Sequence, residues 1–232
     1  MKFAFFPAKA KSRIKIPKNV LDELPQRIGL FTTVQFVESL QGIKEQIEKT
    51  GREVLLLRPP HSVREGQLLG CGIKKFDESI DAFLFVGDGR FHPLTLLLRN
   101  NQKVICYDPF TKKKSELTKK DVEYALKREK AGYVKFLSSK RVGVLISTKP
   151  GQNRRNLAKK LKEHFPDKKF YYFLFDQLNF AELENFPFVE CWVNTACPRI
   201  MIDDIRKFRK PVINIEALLE KFLPEGTKIP PR

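Results

Sequence analysis

The sequence predicts an α/β fold built from two duplicated Rossmann-like units, each a four-stranded, mainly parallel sheet flanked by helices. Two observations support this prediction. Short apolar runs typical of buried strands alternate with amphipathic helical stretches, which favours parallel sheets covered by helices. The same order of elements also occurs twice along the chain, which indicates an internal repeat.

The first unit begins with an apolar run at residues 27–33 that ends in hydroxyl side chains, as a buried parallel strand does. The helix predicted next, over residues 35–49, carries apolar side chains at three- and four-residue spacing: Val37, Leu40, Ile43 and Ile47. Three more strands follow, at residues 53–57, 82–86 and 104–107.

The second unit repeats this order. A strand is predicted at residues 141–148, and a helix follows over residues 152–165, with Leu157, Leu161 and Phe165 on one face. The remaining strands are predicted at residues 170–175, 188–193 and 212–215.

These elements predict two domains, at residues 25–136 and 137–232. The stretch 120–136, rich in Lys, Glu and Ala, is predicted to be the joining helix. Residues 1–24 fit neither unit. Within them a lone strand is predicted at residues 2–6 and a basic, extended loop at residues 7–17.

Composition favours a cytoplasmic protein. The 232 residues are 42% hydrophobic, enough for a sizeable core, and no apolar run approaches the length of a membrane span. The apolar stretch before Pro7 is too short for a signal peptide. In a reducing compartment, the four cysteines are expected to be buried thiols or metal ligands rather than disulfides.

The formal net charge of +17 favours an acidic partner such as nucleic acid, a ribonucleoprotein or an anionic cofactor. The alternative is that lysines simply solvate the helix faces, since the basic residues are spread along the chain. The densest runs, residues 112–114 and 159–162, lack the interleaved aromatics of many single-strand binders. A basic module that binds RNA or the ribosome is therefore an alternative prediction, but it is not the favoured one.

The four cysteines divide into two pairs. Cys106 and Cys191 lie inside strand-like runs and are expected in the core. Cys71 and Cys197 each lie beside a turn, with Gly or Pro adjacent, which is where a metal ligand would stand. Their separation alone gives no metal signal, so a small buried hydrophobe stays the alternative for both.

Two loops after strands are candidates for binding a small molecule. Residues 87–90 carry two glycines that allow close approach of the backbone, with Asp88 and Arg90 able to bind an amine or a carboxylate; an ordinary tight turn is the alternative. Residues 148–152 precede a helix and offer free N–H groups to an anion. His92 is a weak candidate for a base or ligand, or caps the next helix. The Rossmann glycine fingerprint and the P-loop pattern are both absent from the sequence.

Six motifs in order resemble those of the archaeal-type diphthamide-synthesis 3-amino-3-carboxypropyl transferases, the 2-(3-amino-3-carboxypropyl)histidine synthase family. In chain order they are Thr32-Thr33-Val34-Gln35, Arg64-Glu65-Gly66-Gln67-Leu68-Leu69-Gly70-Cys71, Gly87-Asp88-Gly89-Arg90-Phe91-His92-Pro93, Tyr107-Asp108-Pro109-Phe110, Ser147-Thr148-Lys149-Pro150-Gly151-Gln152 and Thr195-Ala196-Cys197-Pro198-Arg199-Ile200. They cover nearly all of the chain from about Leu24 onward.

The resemblance implies three related α/β domains, each giving one cysteine to a central [4Fe-4S] cluster that binds S-adenosylmethionine. It implies reductive cleavage of the cofactor and radical transfer of its 3-amino-3-carboxypropyl group to a histidine of elongation factor 2. Cys71 and Cys197 would be the metal ligands. The residues expected to bind the cofactor are Thr32, Thr33, Gly87, Asp88, Gly89, Arg90, Thr148, Gly151 and Gln152. No catalytic base is assigned, because radical addition does not require one.

The six motifs leave the family's first domain and its cysteine unmatched, and on the resemblance residues 1–24 are interpreted as the remnant of a preceding domain or a linker. A separate polypeptide that supplies this domain is the favoured interpretation. A homodimer that pools cysteines, or a degenerate paralogue that binds without catalysing, are the alternatives. A missing first domain also predicts an exposed apolar face near residues 1–24.

Overall fold

The computed structural model describes residue 6, residues 8–10 and residues 13–222, leaving aside the side chains of residues 220 and 221. The chain divides into two compact units, residues 1–122 and 123–232. Each unit has one parallel-dominated sheet flanked by helices, so the predicted α/β fold class is confirmed. No helix in the described part of the chain is long and apolar enough to cross a membrane.

The sheet of the first unit has five strands in the order β2-β1-β3-β4-β5. In chain order they are β1 (Arg27–Thr32), β2 (Glu53–Leu56), β3 (Ala82–Val86), β4 (Lys103–Tyr107) and β5 (Lys114–Leu117). The α-helices are α1 (Lys18–Leu21) and α2 (Leu40–Glu48), and 3-10 helices span Val34–Ser39, Pro93–Leu98 and Lys119–Val122. The predicted helix over residues 35–49 thus begins as a 3-10 turn and becomes α-helical at Leu40.

The fifth strand, β5, corrects the prediction of four strands. It pairs antiparallel with β4 at the edge of the sheet, and only Leu117 among its four residues is buried. A strand with a single buried side chain has no alternating apolar pattern for a sequence to reveal.

The sheet of the second unit has four strands in the order β7-β6-β8-β9, all parallel. They are β6 (Arg141–Ser147), β7 (Lys169–Phe175), β8 (Cys191–Asn194) and β9 (Val212–Asn214). The α-helices are α3 (Glu123–Ser138), α4 (Arg155–His164), α5 (Ile200–Asp203) and α6 (Ile215–Phe222), with 3-10 helices at Ala181–Asn185 and Ile205–Lys207. The strand predicted at residues 188–193 begins three residues later, after Pro187 and an irregular segment.

Helix α3, predicted to join the two domains, belongs to the second compact unit. A Cβ atom placed on Gly132 would lie 2.1 Å from the carbonyl oxygen of Val212, so the helix backbone rests directly on β9. Phe136 of the same helix lies in the core with Val144 and Leu218. The domain boundaries predicted after residues 24 and 136 stay predictions.

Residues before β1 contribute to the first core rather than exposing an apolar face. Ile16, Val20 and Leu24 are buried with Leu30 beneath α2. The side-chain amide of Gln46 bonds both backbone groups of Ile16, at 2.9 and 2.7 Å. The predicted exposed face near residues 1–24 is therefore wrong for these side chains, although Phe6 is exposed. Residues 2–5 of the lone strand predicted at 2–6 lie outside the described residues.

The interior strands of each sheet are buried on both faces. In the first unit Leu30 and Leu84 pack under α2, while the rings of Phe31, Phe76 and Phe83 lie 5.4 to 5.8 Å apart on the opposite face. In the second unit Trp192 packs against the ring of Phe173 at 5.0 Å. Because both faces of these strands are covered, the loops at the strand ends are where a ligand would bind.

Gly132→Ala should destabilise the protein by about 1–3 kcal/mol, because the new methyl group would overlap the Val212 carbonyl. Gly42→Ala is the matched control. Gly42 also lies in a helix but has open space around it, so alanine should stabilise by about 0.5–1 kcal/mol. Denaturant unfolding of the two variants would measure both changes. A stabilising Gly132→Ala would contradict the close packing of α3 on β9.

Glu190 makes the stability of the second unit depend on pH. Its carboxylate accepts the backbone N–H groups of Arg141 and Lys140, at 3.0 and 2.7 Å, and these bonds lower its pKa from 4.5 to about 2. A lowered folded pKa gives stability that is present above pH 4.5 and is lost as the pH falls toward 2.

Glu190→Gln should therefore be less stable than the wild type at pH 7, with a difference that shrinks as the pH falls from about 4.5 to about 2. Unfolding free energies of both proteins measured across this range test the prediction. A difference that is constant with pH would show that the carboxylate charge contributes nothing.

Candidate functional site

The first group of predicted residues lies where β1 and β3 end. The Thr32 hydroxyl donates a hydrogen bond to the carbonyl of Val86, which ties the two strand ends together. The next hydroxyl, on Thr33, is buried and has no hydrogen-bond partner among the described residues. A buried hydroxyl without a partner is costly, so this position favours a polar ligand group nearby. The Thr32 hydroxyl joins two strands, so Thr33 is the better candidate to contact a bound ligand.

The loop that carries Cys71 is held against the end of β1. The backbone of Thr32 donates to the carbonyl of Gly66 and accepts from the N–H of Leu68, both at 2.8 Å. Leu69 and Gly72 then close a turn around Cys71 through a 2.9 Å bond. The Cys71 side chain is half-buried at this edge of the sheet.

The loop after β3 adjoins the Cys71 loop. A Cβ atom on Gly70 would lie 2.3 Å from the Phe91 ring, so only glycine allows the two loops to approach this closely. On the same loop, a Cβ atom on Gly87 would lie 3.7 Å from the Thr33 methyl group. The structure thus brings Thr33, Gly87 and the Cys71 loop together. Gly89 has a φ of +66°, a left-handed backbone conformation that favours glycine at this position of the loop.

The charged residues of this loop have protein partners. Asp88 accepts a 3.3 Å hydrogen bond from the Gln35 amide. Arg90 pairs with Asp121, whose pKa is lowered first by the backbone N–H of Thr118 and then by Arg90 itself. A cofactor carboxylate at Arg90 would have to compete with Asp121. His92 precedes the 3-10 helix Pro93–Leu98, with its ring 5.2 Å from that of Phe91.

In the second unit, the loop after β6 forms a turn before α4. The N–H of Thr148 donates to the carbonyl of Phe175 at 2.8 Å, and Gln152 donates to Lys149 at 3.0 Å. Gly151 has a φ of +74°, which favours glycine in this turn. Thr148, Gly151 and Gln152 are therefore brought together at the carboxyl end of the sheet.

The Cys197 loop is held by two buried asparagines that the sequence analysis missed. Asn194, the last residue of β8, donates to the carbonyl of Cys197 at 3.0 Å and accepts from the N–H of Ala196 at 3.1 Å. It also donates to Asn214 at the end of β9, which in turn donates to the carbonyl of Pro198. In the sequence, the sign of this role is that both apolar strands end in asparagine.

Two buried arginines lie near the same strand ends and were also missed as site components. Arg199, two residues after Cys197, makes two hydrogen bonds to Asp203, at 3.1 and 2.6 Å. Arg154, just before α4, pairs with Glu216. Both guanidinium groups are buried, whereas their carboxylate partners keep more exposure, and each pair is neutral overall.

The two remaining cysteines belong to the core, as predicted. Burial raises the pKa of both the Cys106 and Cys191 thiols to about 12. The Cys191 sulfur lies 3.7 Å from the carbonyl oxygen of Gly132. Only Cys71 and Cys197 are half-buried thiols on loops, so they have the donor chemistry of an iron–sulfur cluster. Within the described residues, no three His, Cys, Asp or Glu side chains gather as a complete metal site.

The family model and the relatives that match this chain all indicate the same family. A family model described as "Putative diphthamide synthesis protein" matches residues 4–219. The 2-(3-amino-3-carboxypropyl)histidine synthase of Pyrococcus horikoshii is 34% identical over 227 residues, covering 93% of this chain and 65% of that protein. Subunit 1 of the synthase from Caenorhabditis elegans is 30% identical over 195 residues, covering 81% of this chain and 48% of the relative.

A solved structure has the same fold. The crystal structure of Dph2 from Pyrococcus horikoshii with a 4Fe-4S cluster superposes with a TM-score of 0.69 at 31% identity, covering 94% of this chain and 66% of that one. This chain therefore spans about two thirds of the Pyrococcus horikoshii protein and about half of the Caenorhabditis elegans subunit.

Cys71 and Cys197 should be alkylated by iodoacetamide at pH 8 much faster than Cys106 and Cys191. A pKa of about 12 leaves roughly one thiol in ten thousand ionised at pH 8, and burial further blocks the reagent. Peptide mass spectrometry of the folded protein over time measures each site. Unfolded protein is the control, in which all four should react alike. Fast labelling of Cys191 in folded protein would contradict its placement.

Proposed function

The chain belongs to the diphthamide synthesis protein family, and on that premise we propose that it is a subunit of a 3-amino-3-carboxypropyl transferase. The group would move from S-adenosylmethionine to a histidine of elongation factor 2, the first step toward diphthamide. The observation that carries the proposal is the contrast among the cysteines. Cys71 and Cys197 are half-buried on loops at the carboxyl ends of their sheets, whereas the other two are in the core.

The proposed cofactor is a [4Fe-4S] cluster with Cys71 and Cys197 as two of its thiolate ligands. Thiolates are the ligands such clusters use, and the Pyrococcus horikoshii Dph2 structure contains one. A third thiolate has to come from outside the described residues, and a separate chain is the favoured source. When bound, the cluster would supply the electron that opens an S–C bond of S-adenosylmethionine.

The protein's own contribution would be to position both groups. The buried Thr33 hydroxyl and the nearby Gly87 backbone would offer polar contacts to S-adenosylmethionine. Gly89 and Asp88 lie further along the same loop. In the second unit, Asn194 and Asn214 would keep the backbone of Cys197 fixed while its sulfur binds iron. The loop with Thr148, Gly151 and Gln152 is the second candidate contact for the cofactor.

The proposed partners are elongation factor 2 as substrate and a separate chain, or a second copy of this chain, that supplies a further thiolate. The net charge of +17 supports binding to an acidic protein surface. A cytoplasmic location is proposed, because elongation factor 2 acts there. A non-catalytic subunit or paralogue is the second candidate, supported by the two-cysteine ligand set. An RNA-binding role rests on the charge alone.

Anaerobic reconstitution with iron and sulfide tests the ligand assignment. Wild-type protein should acquire a cluster near one per chain or per dimer, and Cys71→Ala and Cys197→Ala should each abolish it. Cys106→Ala is the matched control and should keep the cluster, because its buried thiol is not a ligand. Iron, acid-labile sulfide and the electron paramagnetic resonance spectrum of the reduced cluster measure the result.

Equal iron content in all four proteins would contradict the assignment of Cys71 and Cys197. If wild-type protein alone takes up no iron, the same comparison is made on each variant after co-purification with its partner chain. Transfer of the labelled 3-amino-3-carboxypropyl group to elongation factor 2 then separates an active subunit from a non-catalytic one. A cluster-loaded complex without transfer would support the non-catalytic subunit.

A further inference from the structure

One sequence motif, at residues 107–110, has no part in the proposed cofactor site. It leads from β4 into the β4–β5 loop, residues 108–113. Gly87, in the loop after β3, donates its N–H to the carbonyl of Tyr107 at 3.0 Å. The β4–β5 loop therefore begins at the carboxyl end of the first sheet, beside the loop that is proposed to contact S-adenosylmethionine.

Hydrogen bonds within the β4–β5 loop hold it in a defined conformation. The Asp108 carboxylate accepts the N–H of Phe110 at 2.8 Å and the hydroxyl of Thr111 at 2.9 Å. The N–H of Asp108 donates to the carbonyl of Lys113 at 3.0 Å, which closes the loop. Because these bonds order the loop before any partner arrives, binding through it would lose little conformational entropy.

Phe110 is an exposed aromatic side chain in this ordered loop. It is 63% exposed, although its ring packs against the ring of the buried Phe36 with the centroids 5.3 Å apart. Phe36 lies in the 3-10 helix that follows Thr33, and its N–H donates to the Thr33 carbonyl at 3.2 Å. An aromatic side chain that is anchored by the protein and still largely open to solvent is typical of the centre of a protein interface.

Two lysines without acidic partners follow Phe110. Lys112 and Lys113 are exposed and pair with no carboxylate among the described residues, whereas Lys114 pairs with Glu23. Lys112 also has a φ of +56°, a left-handed conformation that is uncommon and strained for a residue other than glycine. An exposed ring beside two unpaired cations complements an acidic protein surface that also offers an apolar hollow.

We propose that the β4–β5 loop is the surface on which an acidic segment of the substrate protein docks. Phe110 fills an apolar hollow in that segment, and Lys112 and Lys113 pair with carboxylates around it. A protein is favoured over RNA because the loop contains one aromatic residue, whereas unpaired bases stack on successive aromatic side chains. This inference rests on the proposed function, in which the substrate protein is elongation factor 2.

The position of the β4–β5 loop suits this role. Phe110 packs on the helix that follows Thr33, and Tyr107 is bonded to Gly87. A protein docked on the loop therefore lies at the same edge of the sheet as Thr33 and Gly87, the two residues proposed to contact S-adenosylmethionine. Docking there would hold the acceptor histidine near the group that it receives.

Binding of unmodified elongation factor 2 to loop variants tests the proposal. Phe110→Ala should raise the dissociation constant at least tenfold, because the central ring is lost. Lys112→Asn combined with Lys113→Gln should raise it about threefold at low salt and hardly at all at high salt. Lys159→Gln combined with Lys160→Gln is the matched control, since it removes two exposed charges from α4, and should leave binding unchanged. Isothermal titration calorimetry of the full chain, with its partner chain where one co-purifies, measures all four proteins.

Iron content and S-adenosylmethionine affinity separate docking from cofactor binding. Phe110→Ala should match the wild type in both, because the ring contacts the substrate protein alone. Phe110→Leu keeps an apolar side chain over Phe36 and serves as the second variant if circular dichroism shows that alanine disturbs folding. It should bind elongation factor 2 more weakly than the wild type does.

The outcomes distinguish this proposal from the proposed function. Wild-type affinity for elongation factor 2 in the Phe110 variants, or equal weakening by the α4 control, would overturn the docking surface and leave the transferase proposal standing. Weaker S-adenosylmethionine binding by folded Phe110→Leu would overturn it too, by placing the ring in the cofactor site. Loss of binding to a poly-uridine RNA, with elongation factor 2 binding unchanged, would assign the loop to RNA instead. A wild-type protein that does not bind elongation factor 2 would contradict the proposed substrate and this inference together.

Discussion

The first unit depends on the way the end of β1 is bonded to its surroundings. Thr32 uses its N–H, its carbonyl and its hydroxyl to join the Gly66–Leu68 segment and β3 at one point. The strand itself is buried on both faces, and these bonds at its end help to fix the loops beyond it. The Cys71 turn and the Gly87 loop both begin beside this bonded end of β1. These bonds therefore help to set the position of the half-buried Cys71 thiol.

In the second unit, different side chains bond the strand ends to one another and to the cysteine loop. The Thr195 backbone and hydroxyl both bond to the carbonyl of Leu145, which replaces the Thr32 arrangement in joining neighbouring strands. The asparagines at the ends of β8 and β9 then hold the Cys197 loop. Both units thus place a cysteine on a loop that is bonded to the carboxyl end of a sheet, through the Thr32 backbone in the first unit and through asparagine amides in the second.

Much of the fold was predictable because its central strands are buried on both faces and are continuous apolar runs. Strand β5 was not, because one buried side chain in four gives no pattern. The core positions of Cys106 and Cys191 followed from their strands. The pairing of Arg90 with Asp121 could not be foreseen, since those residues meet only in the folded unit. The roles of Asn194 and Asn214 were hidden for the same reason: a terminal asparagine of a strand usually faces water, and only tertiary structure shows these two bonding each other.

The close contact between α3 and β9 has a consequence for dividing the chain. A second unit cut to begin at residue 137 would lose Gly132 and Phe136, and with them the cover over the Cys191 thiol and one side of its core. Such a fragment would expose apolar surface and a thiol that is buried in the intact protein. A fragment that begins before Glu123 keeps that helix, so limited proteolysis of the intact chain should leave residues 123–138 attached to the second unit.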